Sequence, residues 1–181
     1  AYRVRICLNK KSRESMNLTV RQVVVSDAQG VIDVLNPIIS EARYTILDKT
    51  FTVEEEKAFI ESFPERGVFS VAFNETTGDL LGFQNVEPFA SYTKAFDHVG
   101  IIGTYVDANS RGQGVAKHLF EHTFEIAKAK GYEKLFAYVL ADNERALAVY
   151  RKQGFEIVGI AKKHAKIGEQ YFDEILIEKF L

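Results

Sequence analysis

The chain of 181 residues has one cysteine, one methionine, three prolines and no tryptophan. A lone Cys7 excludes an intramolecular disulfide and any metal site built from cysteines alone. It also suits a reducing compartment, so the expected location is cytoplasmic. No apolar run approaches the roughly 20 residues that cross a bilayer as a helix, and no membrane partner is expected. Neither sign of charge dominates. The 23 basic and 25 acidic residues leave a net charge of −2, which argues against a generally basic, nucleic-acid-binding surface. Nothing reads as low complexity or as a long linker, and the length fits one domain with a sizeable core.

Residues 1–17 stand apart as an N-terminal extension, with the main domain expected over 18–181. The first 15 residues carry five basic side chains and one acidic. Tyr2, Val4, Ile6 and Leu8 alternate with Arg3, Arg5 and Cys7, a period of two that allows an extra edge strand; a disordered basic tail fits the same composition. Of the four histidines, His118 and His122 are spaced to share one helix face. No third ligand stands at sensible spacing, so the reading is a solvated face and no metal.

Punctuation along the chain sets the elements. Leu18 to Val25 reads as a strand, and Ser26 and Asp27 as caps of a helix to about Leu35. Pro37 disturbs the helical pattern, and residues 38–52 read as an irregular connection. Thr52 and Glu55 form a capping box for a helix to about Phe63. Val68–Phe73 and Leu80–Glu87 form an antiparallel hairpin. His98–Val106 is a further strand, followed by a turn at Arg111–Gly114 and a helix to about Lys130. Lys134–Leu140 is a strand and Asn143–Gln153 a short helix. Phe155–Ile160 and Tyr171–Phe180 make a closing hairpin. Helices between strands indicate an α/β layered sheet, mostly antiparallel at its start.

The chemistry concentrates at Arg111-Gly112-Gln113-Gly114-Val115-Ala116, between a strand and a helix. The first N–H groups of a helix lack internal partners and sit at the positive end of its dipole. Glycines at 112 and 114 let a phosphate approach the backbone, and Arg111 adds a charge-assisted contact. The turn lacks both the Lys-Ser/Thr ending of a nucleotide-triphosphate loop and the third glycine and later acid of a dinucleotide site. By itself it supports either some other phosphorylated ligand or a ligand-free tight connection. Likewise Asn143, alone, is a good helix cap, and Tyr150, seven residues on and so on nearly the same face, could be a core aromatic.

Taken together, Val106-Asp107-(3)-Arg111-Gly112-Gln113-Gly114-Val115-Ala116 and, further on, Asn143-Glu144-Arg145-Ala146-(3)-Tyr150-(3)-Gly154-Phe155 resemble the two signature motifs of the GNAT superfamily of N-acetyltransferases. The element order is similar along residues 18–180. The resemblance implies a single mixed, mostly antiparallel sheet of about seven strands flanked by about four helices. It implies acetyl-CoA as donor, with Arg111 to Ala116 on the pyrophosphate, Asn143 and Ala146 near the pantetheine arm, and Tyr150 near the thioester sulfur. It also implies that the strand carrying Thr104, Tyr105 and Val106 splays from its neighbour to admit the cofactor, and that Thr104 and Val106 pair with the pantetheine.

Acyl transfer to an amine needs a proton acceptor, an oxyanion site and an acid for the departing thiolate. Tyr150 suits the acid role, and backbone N–H groups around Tyr105 and Val106 suit the oxyanion. Glu87 and His98 are the candidate bases, a water chain being the alternative. Cys7 lies far from the motifs, so direct attack in a ternary complex is expected. The amine acceptor should be read in residues 38–52 and 88–97, where Tyr44, Phe51, Phe89, Tyr92 and Phe96 could build an aromatic pocket. Asn36, Pro37, Thr45, Thr50, Phe51, Thr52-x-x-Glu55 and Gly67-Val68-Phe69 loosely resemble the phosphinothricin acetyltransferase branch, which acts on small amino-acid-like amines. A protein amine, a polyamine or an aminoglycoside is the alternative acceptor. A non-catalytic acyl-CoA-binding module and an unrelated phosphate-ligand transferase are the alternative functions. A homodimer is a further expectation, paired through the closing hairpin with Ile175, Leu176 and Ile177 or through segment 2–8.

Overall fold

The computed structural model describes residues 17–181; both readings of the N-terminal extension fall on residues 1–16, outside the described part. In chain order the elements are β1 (Leu18–Gln22), α1 (Ala28–Ser40), α2 (Val53–Glu61), β2 (Val68–Asn74), β3 (Leu80–Pro88), β4 (Val99–Val106), α3 (Val115–Ala129), β5 (Lys134–Leu140), α4 (Glu144–Lys152), β6 (Glu156–Ile167) and β7 (Gln170–Phe180). The seven strands form one sheet in the order β1-β2-β3-β4-β5-β7-β6. Every neighbouring pair is antiparallel except β4 and β5, which α3 joins as a parallel crossover.

Strand alternation assigns the two faces. On β2, Phe69 and Val71 pack with α1 and α2, against Val31, Leu35, Ile38 and Ile60. Val68 and Ala72 point the opposite way, beneath α3. Both faces are covered, which is why β2 reads as a continuous buried run from Val68 to Ala72. On the α3 and α4 side, Phe120, Leu135, Ala137, Ile175, Ile177, Tyr150 and Phe155 form one core. The buried face of α3 includes Leu119, Phe120, Thr123 and Ala127, as the three- and four-residue spacing requires; Phe120 and Ala127 enter this core.

Three expectations need correction. Pro37 does not end α1, which runs to Ser40 with the proline inside it. An interior proline costs about 3 kcal/mol. Continuing the helix buries Ile38 and Ile39, each 5% exposed, and full burial of one such side chain returns about 1.5–3 kcal/mol. Asp27 does not cap α1 through its side chain. Its carboxylate takes both Arg21 N–H groups at 2.7 and 2.9 Å and the Val24 N–H at 2.8 Å, closing a 3-10 turn at Val25–Asp27. Finally, β6 extends to Ile167 rather than stopping near Ile160. It passes through a bulge at Lys163, whose φ is 51°, and Asp173 accepts the Lys163 N–H at 2.6 Å. Edge strands carry such charged, irregular stretches, and the run Lys162-Lys163-His164 hid the strand. By contrast the capping box at Thr52 and Glu55 is present in both directions, at 3.2 and 2.8 Å.

His122 is half-buried rather than fully solvated. Its Nδ1 lies 3.0 Å from the hydroxyl of the fully buried Ser70, which accepts from Thr123 at 3.0 Å. His118 is exposed, and its Nδ1 lies 3.0 Å from the Gly114 carbonyl.

Candidate active site

The parallel pairing of β4 with β5 lasts three residues: Val99 with Lys134, Gly100 with Leu135, Ile101 with Phe136. Beyond Ile101 the strands diverge, although β4 continues to Val106 and β5 to Leu140. The His98 carbonyl faces β5, accepting from Lys134 at 3.0 Å. Strand alternation therefore turns the backbone groups of Ile102, Thr104 and Val106 toward the gap, and those of Tyr105 toward β3. This removes the Tyr105 N–H from the candidate oxyanion donors and leaves Val106 as the one of that pair aimed into the gap.

A cavity of about 650 Å³ runs along this gap. Its lining includes Thr104, Tyr105 and Val106 of β4, Arg111, Gly112, Gly114, Val115 and Ala116 at the head of α3, and Asn143, Ala146 and Tyr150 on α4. Two sequence segments more than 25 residues apart thus form the walls of one cleft. Gln113, also expected here, does not line it; its amide turns back to the Asn109 carbonyl at 2.7 Å.

The turn is held by local bonds. Asp107 accepts from the Asn109 and Ser110 N–H groups at 2.9 and 3.1 Å, closing a 3-10 turn ahead of the glycines. Gly112 and Gly114 have φ of 75° and 89°, values that L side chains adopt only with strain. Gly114 is the residue before α3, so the free N–H groups of the helix open on the cavity. Arg111 donates from Nε to the Val106 carbonyl at 3.2 Å, and its guanidinium lies 5.4 Å from the centre of the Tyr44 ring.

Sequence reading missed three further cations on the cavity wall: Lys117, Arg145 and Lys152. With Arg111 they make four positive side chains and no acidic one among the lining residues, in a chain of net charge −2. Their spacing was readable, since Arg145 and Lys152 stand seven apart on α4. The cleft suits a large polyanionic ligand.

At the deep end, Tyr150 is 6% exposed, with Phe120 and Phe155 edge-on at 5.4 and 4.9 Å. Its hydroxyl lies 2.9 Å from Thr104 Oγ1, which also accepts from Gln84 Nε2 at 2.9 Å. Burial pushes the Tyr150 phenol well above the usual tyrosine range; the Thr104 hydrogen bond opposes this. Asn143 accepts the Ala146 N–H at 3.1 Å, so it caps α4 as well as lining the cleft.

The two candidate bases are placed differently. Glu87 lies opposite Ile101, on the same sheet face as Tyr105 and about 10 Å along the strand from the level of Thr104. Burial raises its pKa above the usual carboxylate value. Burial likewise raises Tyr105, to which the Glu87 charge adds. His98 is exposed and sits before β4, roughly 20 Å from Thr104 at about 3.3 Å per residue; it is not brought to the cleft. Of the five expected aromatics, Tyr44 lines the donor cleft, and Phe51 packs on the α1 side. Phe89 and Phe96 pack against each other with tilted rings, 5.0 Å between centres, and Tyr92 is 83% exposed. They do not form one pocket.

The sequence profile of the Acetyltransferase (GNAT) family matches residues 36–155. The chain belongs to that family. Among its relatives, the Streptomyces coelicolor phosphinothricin N-acetyltransferase is 24% identical over 162 residues, 88% of this chain and 94% of the relative. The L-methionine sulfoximine/L-methionine sulfone acetyltransferase of Pseudomonas aeruginosa is 22% identical over 147 residues, 80% of this chain and 83% of the relative. The fold is shared with a Sinorhizobium meliloti phosphinothricin acetyltransferase solved with acetyl-CoA, at a TM-score of 0.82 and 19% identity, over 92% of this chain and 89% of that one. The GNAT chain described here is an acetyl-CoA-dependent N-acetyltransferase rather than a non-catalytic module. No helix among the described residues is long and apolar enough to cross a membrane.

Proposed function

We propose that this GNAT enzyme acetylates the amine of a small amino-acid-like acceptor by direct attack in a ternary complex. The observation that carries the reading is the polarity of the cleft: Arg111, Lys117 and a helix N-terminus at one end, one buried phenol at the other, and Arg145 and Lys152 on the α4 wall. Acetyl-CoA has the matching polarity, phosphates at one end and a thioester at the other. Arg111, Lys117, Arg145, Lys152 and the first N–H groups of α3 hold the phosphates. The exposed backbone edge of Thr104 and Val106 takes the pantetheine amides, much as a neighbouring strand would.

The amine nitrogen attacks the thioester carbonyl carbon, and the carbonyl oxygen becomes an oxyanion facing the N–H groups of β4 that point into the gap. The C–S bond then breaks. Tyr150 delivers its proton to the leaving sulfur, and the nitrogen gives its extra proton to Glu87 through water, since Glu87 does not line the donor cleft. The products are an N-acetylated acceptor and free CoA. The acceptor class rests on the relatives, two of which act, by name, on phosphinothricin and on methionine sulfoximine or sulfone. A reducing cytoplasm with its acetyl-CoA pool fits the lone Cys7. The strand of Ile175, Leu176 and Ile177 is interior to the sheet, so within the closing hairpin the edge is β6, which exposes Ile157, Val158 and Ile160 and suits pairing with a second copy.

Acetyl-CoA turnover read by thiol release tests the proposal, with phosphinothricin, methionine sulfone and methionine sulfoximine set against polyamines, aminoglycosides and N-terminal peptides. Turnover confined to the first three supports it. Turnover confined to peptides or polyamines refutes the acceptor class.

A further inference from the structure

We propose that Gln84 is a positioning residue for Tyr150, acting through Thr104 to keep the phenolic hydrogen aimed at the thioester sulfur. The inference rests on the general-acid role of Tyr150 given above. Gln84 and Thr104 stand directly opposite each other on β3 and β4. Gln84 is fully buried, and its Nε2 donates to Thr104 Oγ1 at 2.9 Å; Tyr150 lies 2.9 Å beyond.

The threonine hydroxyl has one hydrogen and two lone pairs. The Gln84 donor takes one lone pair, so Thr104 has one acceptor site and one hydrogen left for Tyr150, which stands 2.9 Å away. In the proposed arrangement that hydrogen goes to the Tyr150 oxygen, which leaves the phenolic hydrogen for the cleft that Tyr150 lines. Removing the Gln84 donor frees a second acceptor site on Thr104 and shifts the balance toward Thr104 accepting from Tyr150, which turns the catalytic hydrogen away from the sulfur. The relay also donates toward the oxygen on which negative charge develops as Tyr150 gives up its proton. It thereby opposes the effect of burial on that phenol.

Stability alone does not account for a glutamine at this position. Its Oε1 is buried and has no partner among the described residues, and leaving such an acceptor unpaired costs roughly 1–3 kcal/mol. A methionine would fill similar space with no such cost. A residue that costs stability while it orders a hydroxyl beside a reactive group is what a functional constraint produces.

The test is a cycle of four proteins: wild type, Gln84→Met, Tyr150→Phe and the double variant. Single-turnover thiol release is measured together with acetyl-CoA affinity and thermal unfolding. In Q84M the rate should fall about tenfold, as for loss of one hydrogen bond to a developing charge. Acetyl-CoA affinity should stay within about twofold, and Tm should be unchanged or higher. In the Tyr150→Phe background the same substitution should change the rate less than about twofold, because the relay then has nothing to aim.

An unchanged or faster Q84M overturns the proposal, since Gln84 would then not be aiming the phenol. Equal losses in both backgrounds, or a Tm several degrees lower, also overturn it, by showing a role independent of Tyr150. A fully active Tyr150→Phe removes the general-acid reading and the relay with it; an impaired Tyr150→Phe beside an unimpaired Q84M removes the relay alone. Should Q84M not fold, Thr104→Val breaks the chain one step later and must give the same pattern.

Discussion

Glu56 provides a quantitative test of the packing that carries the site. It sits on α2, 4% exposed, and its Oε1 has no hydrogen-bond partner among the described residues. Burial raises its carboxyl from 4.5 to about 7. The unfolded chain releases this proton near pH 4.5, whereas the folded chain holds it to about pH 7. Between those values the folded state binds more protons, so raising the pH favours unfolding. The stability linked to this group is therefore present below pH 4.5 and lost as the pH rises through 7. A rise from 4.5 to about 7 corresponds to roughly 3 kcal/mol, and at roughly 2–4 °C per kcal/mol for a chain of this size, to about 6–12 °C in Tm. Glu56→Gln keeps the shape and removes the titration. Thermal unfolding of both proteins from pH 4.5 to 8.5 should show equal Tm at the acid end and a gap that widens in favour of the variant up to about pH 8. Taking the difference between the two proteins cancels every other titrating group. A gap independent of pH would refute the reasoning, because it would mean that Glu56 is solvated in the folded state.

Other outcomes rest on the same geometry. Arg111→Ala should weaken acetyl-CoA binding about tenfold or more, the value of a charge-assisted hydrogen bond; equal affinity by calorimetry would remove its phosphate role. Tyr150→Phe should lower kcat about tenfold or more with little change in acetyl-CoA affinity, and an unchanged kcat would take Tyr150 out of the mechanism. Burial depresses the His122 imidazole below its ordinary value of 6.5, with Glu125 opposing. The unfolded chain then binds the proton first, so stability should fall as the pH drops below about 6.5. His122→Gln should flatten that acid-side slope in a urea series, and a slope left unchanged would show that His122 does not set it.

Local chemistry made much of this molecule readable from its sequence. Lys134–Leu140 is bounded as the strand pattern requires, and Thr52 with Glu55 is a capping box because two side chains three apart suffice to make one. The glycine turn was legible for the same reason: helix start, positive φ and Arg111 are adjacent in the chain. The hidden features depend on groups distant in sequence. The burial of Ile38 and Ile39 that carries α1 past Pro37 exists only once the sheet is in place. Gln84 looks like any polar residue in a strand until Thr104 and Tyr150, 20 and 66 positions later, meet it. The His122 side chain is spaced like a solvated one, but Ser70, 52 residues earlier, lies beneath it. The loop aromatics failed as a pocket because spacing in a loop does not fix direction.

A crystal structure with acetyl-CoA bound would show whether the donor lies along the gap between β4 and β5 with its sulfur at Tyr150. The expected complex has the pyrophosphate on the N–H groups at the head of α3 beside Arg111, the pantetheine along Thr104 and Val106, and the thioester sulfur within hydrogen-bond reach of the Tyr150 hydroxyl. A cofactor bound outside the gap, or one in the gap with its sulfur beyond reach of Tyr150, would contradict it.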